Sequence, residues 1–350
     1  MTRRYARWIA LILLFVSGCG DSPSPQDPAA GKPPAVRPTT ANPAAEIEFN
    51  KGNDLSDRED WDAAIACYSE AIRLNPDLDG AYYNRALAYR DKGEIDKAIK
   101  DYSQTIRLKP DDVDAYHNRG VAYGKKGEYD RAIKDYSQAI RLKPDGADTY
   151  YNRGRAYVEK GEYDKAIKDY SQAIRLKPDF VKAYTNRGVA FRNIGENDKA
   201  IKDYSQAIRL KPDDADTYYN RGRAYGTKGK YDEAIKDFSE AIRLKPDVAG
   251  NYYNRALAYR KKGEYDEAIK DYSEVIRLKP DFVEAYFNRG VAYRGKGEYD
   301  KAIKDFSEII RLRPDDAVPY NNRGLAYHKR GDKAKADADF AKFDAVKAKK

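Results

Sequence analysis

Apolar and aromatic side chains recur along most of the chain at the spacing of an α-helix, in pairs of segments separated by a glycine. In the pair that begins at Asp79, the first segment carries Tyr82, Ala86 and Tyr89 on one helical face. The second segment continues the same spacing with Ala98, Ile99, Tyr102, Thr105, Ile106 and Leu108. Gly93 supplies the turn between them, and Pro110 stops the second segment because proline cannot continue a helical hydrogen-bond ladder. The pattern predicts two amphipathic helices joined by a glycine turn.

This pair of predicted helices repeats with a period of 34 residues. The prolines that end the second helices keep the interval without a slip, at Pro76, Pro110, Pro144, Pro178, Pro212, Pro246, Pro280 and Pro314. The turn glycines keep it too, at Gly93, Gly127, Gly161, Gly195, Gly229, Gly263, Gly297 and Gly331. A fixed period of this length indicates a solenoid of stacked repeats, here nine units from Ala45 to the last residue. No stretch remains for a separate catalytic domain.

The units resemble the tetratricopeptide repeat, a helix-turn-helix unit of 34 residues. We number the places of a unit from 1 to 34, with Asp79 at place 1 of the second unit. The family expects a small residue at place 8, aromatics at places 11 and 24, alanine at place 20 and proline at place 32. This unit has Ala86, Tyr89, Tyr102, Ala98 and Pro110 at those places, in that order. The resemblance implies an all-α, right-handed superhelical solenoid of about nine repeats over residues 45–350, with the first helix of each repeat lining the concave face.

The two end units depart from the pattern. In the first unit Glu59 stands where the others have the turn glycine. In the last unit the second helix begins Lys333-Ala334-Lys335-Ala336-Asp337, a polar-faced segment that suits capping an exposed core.

The N-terminal region has a different character. Three arginines precede an apolar run from Trp8 to Val16, which is typical of a secretory signal and is too short to span a bilayer. The run ends in Val16-Ser17-Gly18-Cys19, which resembles the bacterial lipobox. The resemblance implies a signal peptide of residues 1–18 and a lipid anchor on Cys19; an ordinary secretory signal with an incidental cysteine is the alternative. In the enteric-bacterial sorting rule, an aspartate directly after the lipidated cysteine retains a lipoprotein in the inner membrane. Gly20 stands at that position here, so the resemblance favours the outer membrane.

Residues 19–44 are rich in proline and nearly free of large apolar side chains, with seven prolines between Gly20 and Ala44. Such a composition predicts a disordered, extended tether between the membrane and the repeats.

Composition excludes several function classes. The net charge of +9 leaves about +6 for the repeats, where both signs alternate, so no nucleic-acid surface is predicted. Besides Cys19 the only cysteine is Cys67, so no internal disulfide is predicted. The two histidines, His117 and His328, lie far apart, and the chain lacks a nucleophile–base set, metal-ligand spacing and a phosphate-binding glycine loop. We predict no enzyme activity, no metal and no cofactor.

Asparagine occupies place 6 of the first helix in all nine units, at Asn50, Asn84, Asn118, Asn152, Asn186, Asn220, Asn254, Asn288 and Asn322. A side-chain amide both donates and accepts hydrogen bonds, so such a ladder suits the backbone of an extended peptide. The resemblance supports this, since some long superhelices of the family hold substrate backbones in this way. The alternative, that asparagine is simply common at this place, stays open.

Aromatic and arginine side chains flank the ladder. Place 5 carries Tyr83, Tyr151, Tyr219, Tyr253 and Phe287, with Phe49 and His117 in two other units. Place 9 carries Arg155 and Arg223, and place 12 carries Arg90, Arg192, Arg260 and Arg294. Aromatic rings with polar tips suit binding surfaces, and arginine favours acidic partners, so we predict an extended peptide ligand with carboxylate groups. Solvated surface arginines are the alternative.

Arginine at place 7 and aspartate at place 23 occur together. Eight units have both, and the first unit, with Lys51 and Cys67, has neither. We predict a structural Arg–Asp pair between the two helices of a repeat. The tyrosines at places 4, 11, 17 and 24 are predicted to pack between helices.

These features predict a protein–protein interaction scaffold at the bacterial envelope that binds extended segments of partner proteins in a concave groove. The alternative is a structural protein whose arrays self-associate without a peptide ligand. No oligomeric state is predicted.

Overall fold

The computed structural model describes residues 42–348, which form helices joined by short turns, with no strand among them. The helices of this range are α1 (Pro43–Asp57), α2 (Trp61–Leu74), α3 (Asp79–Asp91), α4 (Ile95–Leu108), α5 (Val113–Lys125), α6 (Tyr129–Leu142), α7 (Ala147–Glu159), α8 (Tyr163–Leu176), α9 (Val181–Asn193), α10 (Asn197–Leu210), α11 (Ala215–Thr227), α12 (Tyr231–Leu244), α13 (Ala249–Lys262), α14 (Tyr265–Leu278), α15 (Val283–Gly295), α16 (Tyr299–Leu312), α17 (Ala317–Arg330) and α18 (Lys333–Lys347). The predicted all-α array of nine two-helix repeats is confirmed.

The predicted signal peptide, Cys19 and most of the predicted tether lie outside the described residues. Pro43 and Ala44, predicted as the end of the tether, belong to α1. The helix starts there because the Asn42 side chain accepts hydrogen bonds from the backbone N–H groups of Ala44 and Ala45, at 3.2 and 3.4 Å. Proline at the first helical position is favourable as well, since its missing N–H has no helical partner to lose.

The described helices form two compact units, the first with α1–α9 up to Glu196 and the second with α10–α18 from Asn197. Odd-numbered helices are the first, or A, helices of the repeats, and even-numbered helices are the B helices. Within each unit every helix packs against the next in sequence, and successive A helices also touch, as α1 with α3 and α11 with α13. None of the helices between residues 42 and 348 combines the length and the hydropathy that crossing a bilayer requires.

The turn between A and B helices needs a residue in the left-handed backbone region. Gly161 has a φ of 72° and Gly331 a φ of 98°, and the other turn glycines lie between these values. Glu59 takes the same role in the first repeat with a φ of 60°, and it is the only non-glycine residue of the described range with positive φ. The departure at Glu59 therefore keeps the turn while placing a side chain where the backbone is strained.

Each repeat packs around an aromatic ring at place 24 of its B helix. Tyr170 is 1% exposed, and its ring centroid lies 5.8 Å from that of Tyr151 on the A helix. Place 8 is small because this ring lies directly on the A-helix backbone: a Cβ added at Gly154 would come within 2.8 Å of Tyr170 Cε1. The predicted packing role of the place-24 tyrosines is confirmed.

An arginine at place 7 ties three helices together. Arg221 of α11 donates from Nε and Nη2 to the two carboxylate oxygens of Asp237 on α12, at 2.8 and 2.7 Å. Its Nη1 donates to Oγ of Ser205 on the preceding B helix, α10, at 3.0 Å. The rings of Tyr218 and Tyr225 lie 5.7 and 5.9 Å from the guanidinium carbon. The predicted Arg–Asp pair is thus present, within a larger aromatic and hydroxyl environment.

The same pair recurs at 2.7–2.8 Å in Arg85–Asp101, Arg119–Asp135, Arg153–Asp169, Arg255–Asp271, Arg289–Asp305 and Arg323–Asp339. Burial raises the pKa of Asp237, and the hydrogen bonds and charge of Arg221 oppose that rise. In the first repeat Cys67 occupies the aspartate's place; it is buried, and burial raises the pKa of its thiol.

The last helix, α18, presents a polar outer side. Lys333, Lys335 and Asp337 are exposed, while Ala336 is fully buried against the rest of the repeat. This distribution agrees with the capping role predicted from the sequence.

Candidate peptide-binding site

The predicted binding residues lie at places 5, 6, 9 and 12 of the A helices, and we call these side chains the A-helix surface. Hydrogen bonds within this set connect neighbouring A helices. Asn118 Nδ2 of α5 donates to the hydroxyl of Tyr83 on α3 at 2.9 Å, and Asn186 of α9 donates to Tyr151 of α7 at 2.9 Å. Within each unit, such bonds link the A helix of one repeat to that of the next.

Part of the asparagine ladder is engaged inside the fold. The Asn118 amide donates to Tyr83 and also to the backbone carbonyl of Asp114, at 2.9 and 3.0 Å. Asn254 and Asn288 make the same two kinds of bond. All three are only 4–6% exposed. Their amides hold successive repeats together, so a peptide would reach these donors only by displacing existing bonds.

The remaining asparagines are more accessible. Asn50 is exposed, and the half-buried members are Asn84, Asn152, Asn186, Asn220 and Asn322. Asn84 donates to Asn53 Oδ1 at 2.8 Å, and Asn220 donates to the carbonyl of Asp216 at 2.9 Å. Peptide binding by these residues stays a prediction.

The aromatic residues at place 5 lie largely inside the repeats, contrary to the binding surface to which the sequence analysis assigns them. Tyr83, Tyr151 and Tyr253 are 4–6% exposed, and each ring centroid lies 5.8–5.9 Å from the place-24 ring of its repeat. Tyr219 and Phe287 are half-buried and pack in the same way, at 5.9 and 6.0 Å. The reason is that place 5 faces the B helix, which helical periodicity alone does not reveal.

The hydroxyls of these tyrosines accept hydrogen bonds from the next A helix. Burial raises the pKa of Tyr253 to about 12, so its hydroxyl stays protonated at neutral pH. It accepts the amide hydrogen of Asn288 on the next A helix at 3.0 Å. We therefore assign the place-5 tyrosines to the contacts that stack the repeats.

The arginines have different surroundings from repeat to repeat. Arg90 donates to the carboxylate of Asp91, the next residue, at 2.8 and 3.1 Å. Arg260 and Arg294 are followed by Lys261 and Gly295, and neither has a carboxylate oxygen within 4.0 Å among the described residues.

The other predicted arginines also contribute to the A-helix surface. The guanidinium carbon of Arg223 lies 5.7 Å from the centroid of the Tyr219 ring, and Arg192 is half-buried. Arg155 lines a pocket, described next, together with one member of the ladder.

An open pocket of about 350 Å³ lies among α5, α6 and α7. Its lining consists of Val121, Gly124, Lys125, Tyr129, Tyr136, Asn152, Arg155, Ala156 and Glu159. Gly124 holds place 12, where four other repeats have arginine. A Cβ added at Gly124 would meet only the Tyr136 hydroxyl, at 4.0 Å. The missing side chain leaves this space open; the apolar periodicity of the sequence does not predict the space, although Gly124 is seen at place 12.

The pocket combines an amide from Asn152, a guanidinium from Arg155 and a carboxylate from Glu159, which together can donate and accept hydrogen bonds. Between residues 42 and 348 no cluster of three or more His, Cys, Asp or Glu side chains is arranged to hold a metal ion. His117 replaces a place-5 tyrosine: its ring lies 5.7 Å from that of Tyr136, and its Nδ1 lies 2.9 Å from Oγ1 of Thr149. The geometry indicates packing for this histidine.

Solved structures share this architecture. The C-terminal part of a TPR repeat-containing protein from Cytophaga hutchinsonii is 22% identical, with a TM-score of 0.61 over 69% of this chain and 98% of that one. A tetratricopeptide repeat protein from Parabacteroides merdae is 20% identical, with a TM-score of 0.53 over 72% and 99%. The protein MamA is 31% identical, with a TM-score of 0.47 over 49% of this chain and 94% of that one. A search of curated proteins found no match.

Family models match the repeats almost end to end. Models described as TPR repeat match residues 52–89, 86–127, 125–161, 154–195, 190–229 and 256–297, and models described as tetratricopeptide repeat match residues 215–248, 283–316 and 317–349. These matches cover far more than half of the chain. The matches at 215–248, 283–316 and 317–349 each span one A–B helix pair, and the other six run from one A helix through the B helix to the next A helix. The chain is therefore a member of the tetratricopeptide repeat family.

Proposed function

We propose that this protein recruits partner proteins by binding an extended segment of each partner along the A-helix surface. Tetratricopeptide repeat proteins are typically non-enzymatic scaffolds for protein–protein interaction, and membership of that family supports the general role. The more specific proposal, a peptide bound on the A helices, is carried by one observation, the pocket beside Gly124.

The pocket suits one side chain of an extended partner segment. Its volume of about 350 Å³ is within the range of roughly 300–1,000 Å³ that ligand pockets occupy. Successive side chains of an extended chain point to opposite sides, so one can enter the pocket while the backbone passes along the surface. Asn152 then lies where it can bond to the backbone, and Arg155 where it can bond to the entering side chain.

Filling the pocket tests this proposal. Gly124→Arg introduces the arginine that other repeats carry at place 12 beside a place-24 tyrosine, so the fold should tolerate it. We expect partner capture by the full chain from envelope extract to fall about tenfold or more, because the entering side chain loses its space. Gly124→Ala adds only a methyl group with no close neighbour, and capture should persist.

Equal capture by both variants, with unchanged thermal unfolding, would contradict the proposal and place recognition elsewhere. If Gly124→Arg unfolds at a lower temperature than Gly124→Ala, loss of capture in that variant would not count in favour of the pocket.

We further propose that the repeats act at a bacterial envelope, anchored by lipid on Cys19. The support is the lipobox-like sequence that ends at Cys19, together with the short apolar run before it. Fractionation of cells that express the full chain and its Cys19→Ser variant tests this: the variant should leave the membrane fraction, and equal membrane association of both would refute the anchor.

A further inference from the structure

We infer that Arg260 and Arg294, on neighbouring A helices of the second unit, bind acidic side chains of a partner segment. This inference rests on the proposed function and adds the chemistry of the partner: an extended peptide that carries carboxylates and apolar residues. The two arginines occupy place 12 of α13 and α15, and the bond from Asn288 to Tyr253, at 3.0 Å, joins these two helices.

Arg260 has an unsatisfied donor. Its Nε is buried and has no hydrogen-bond acceptor in good geometry; the hydroxyl of Tyr272 lies beside this guanidinium but is neutral and does not compensate its charge. No carboxylate oxygen of the described chain lies within 4.0 Å of its guanidinium. A buried charged donor without an acceptor is unfavourable, and an incoming carboxylate supplies both the acceptor and the opposite charge.

Arg294 is in a similar position one repeat further on. Its Nη1 donates to Asn322 Oδ1 at 2.9 Å, a neutral acceptor that leaves the positive charge uncompensated. Burial lowers the pKa of this guanidinium, in agreement with the absence of a nearby carboxylate. Arg90, at the same place in the first unit, differs from both arginines because it donates to the carboxylate of Asp91 at 2.8 Å.

Apolar side chains lie one helical turn before these arginines. Place 9 is Leu257 on α13, Val291 on α15 and Leu325 on α17, and Leu325 is 38% exposed. The acidic residue nearest in sequence on these A helices, Glu284, lies 3.7 Å from Arg313 and is engaged there. Apolar places beside uncompensated guanidinium groups complement a segment in which apolar and acidic residues alternate.

Three peptides of equal length test the inference by fluorescence anisotropy with the full chain. In the first, Leu and Asp alternate; in the second, Asn replaces Asp; in the third, Lys replaces Asp. We expect the acidic peptide to bind about tenfold more tightly than the Asn peptide, and the Lys peptide more weakly than both, because each desolvated charge pair contributes measurably to affinity.

The variant Arg260→Gln/Arg294→Gln should lose the preference for the acidic peptide while it binds the Asn peptide as before. Retained binding of the Asn peptide shows in the same titration that the variant is folded. The matched control Arg90→Gln removes an arginine already paired with Asp91 and should keep the preference.

The outcomes separate the two proposals. Equal affinity of the wild-type chain for the acidic and Asn peptides, or a preference that survives in the double variant, overturns the arginine site but leaves peptide binding intact. Failure of all three peptides to bind overturns the arginine site and counts against the proposed function as well.

Discussion

Replacing Arg221 with methionine is expected to lower the free energy of unfolding by about 3 kcal/mol, because it leaves the Asp237 carboxylate buried without its partner. The side chains of Arg221 and Asp237 are only 18% and 7% exposed, so water cannot replace the lost ion pair. The variant also removes the donor to Ser205 Oγ on α10. Chemical denaturation followed by circular dichroism measures the difference.

The loss of stability in Arg221→Met should depend on pH. Burial raises the pKa of Asp237 in the folded protein, and Arg221 opposes the rise, so removing Arg221 raises that pKa further. A carboxyl whose folded pKa lies above its unfolded value destabilises the fold once pH rises through that range, and the penalty disappears below the unfolded value. The deficit of Arg221→Met should therefore be large near neutral pH and shrink as pH falls towards about 4.

A double variant provides the control. Arg221→Met/Asp237→Asn leaves no buried charge at this site, so it should recover part of the lost stability and lack the pH dependence of Arg221→Met. An unfolding midpoint for Arg221→Met equal to that of the wild type would mean that the pair contributes nothing.

Replacing Gly154 with leucine is expected to destabilise the protein by roughly 2–3 kcal/mol through overpacking. A Cβ at this position already comes within 2.8 Å of Cε1 of Tyr170, a ring that is 1% exposed and cannot move towards solvent. The additional branched carbons of leucine have no space. The same denaturation measurement detects the change.

Alanine at the same position is the matched control. Ala86 and Ala256 occupy this place in the second and seventh repeats and are fully buried there, so a methyl group is accommodated with a small shift of the ring. The better helix propensity of alanine offsets part of that strain. If Gly154→Ala and Gly154→Leu destabilise equally, the close approach of Tyr170 does not determine the residue at place 8.

Much of the fold was predictable because its determinants are local and repeated. The helix pairs followed from periodic apolar residues, the turns from glycines such as Gly127, and the Arg–Asp pair from the joint absence of both residues in the first repeat. The hydroxyl of Ser205 was not predicted, since its role depends on contact between helices of successive repeats.

The candidate site was less predictable. Tyr83 and Tyr151 were assigned to a ligand surface because place 5 lies beside the asparagine ladder in sequence, yet their rings pack against the B helix. The pocket exists because Gly124 has no side chain, and the periodic pattern of apolar residues gives no indication of such a space. The absence of a carboxylate partner beside Arg260 and Arg294 depends on which residues surround them in the folded chain.

We expect the residues at places 9 and 12, which vary between repeats, to determine what each repeat binds. The packing residues of the repeats are nearly identical, whereas place 12 is serine, arginine, glycine, valine or histidine. Place 12 is not among the places whose side chains pack the two helices of a repeat together. A different residue there can therefore change which ligand groups a repeat contacts without changing the fold.

Site-directed photo-cross-linking reports whether a partner segment lies on the A-helix surface. A photoreactive phenylalanine is placed at Arg155, beside the pocket, or at Lys134, exposed on the B helix α6, and cross-linked partner segments are identified by mass spectrometry. We expect cross-links to a partner segment from position 155, their loss when Gly124→Arg is added, and none from position 134. Equal cross-linking from both positions, or cross-linking at 155 that Gly124→Arg leaves unchanged, would contradict binding on the A-helix surface.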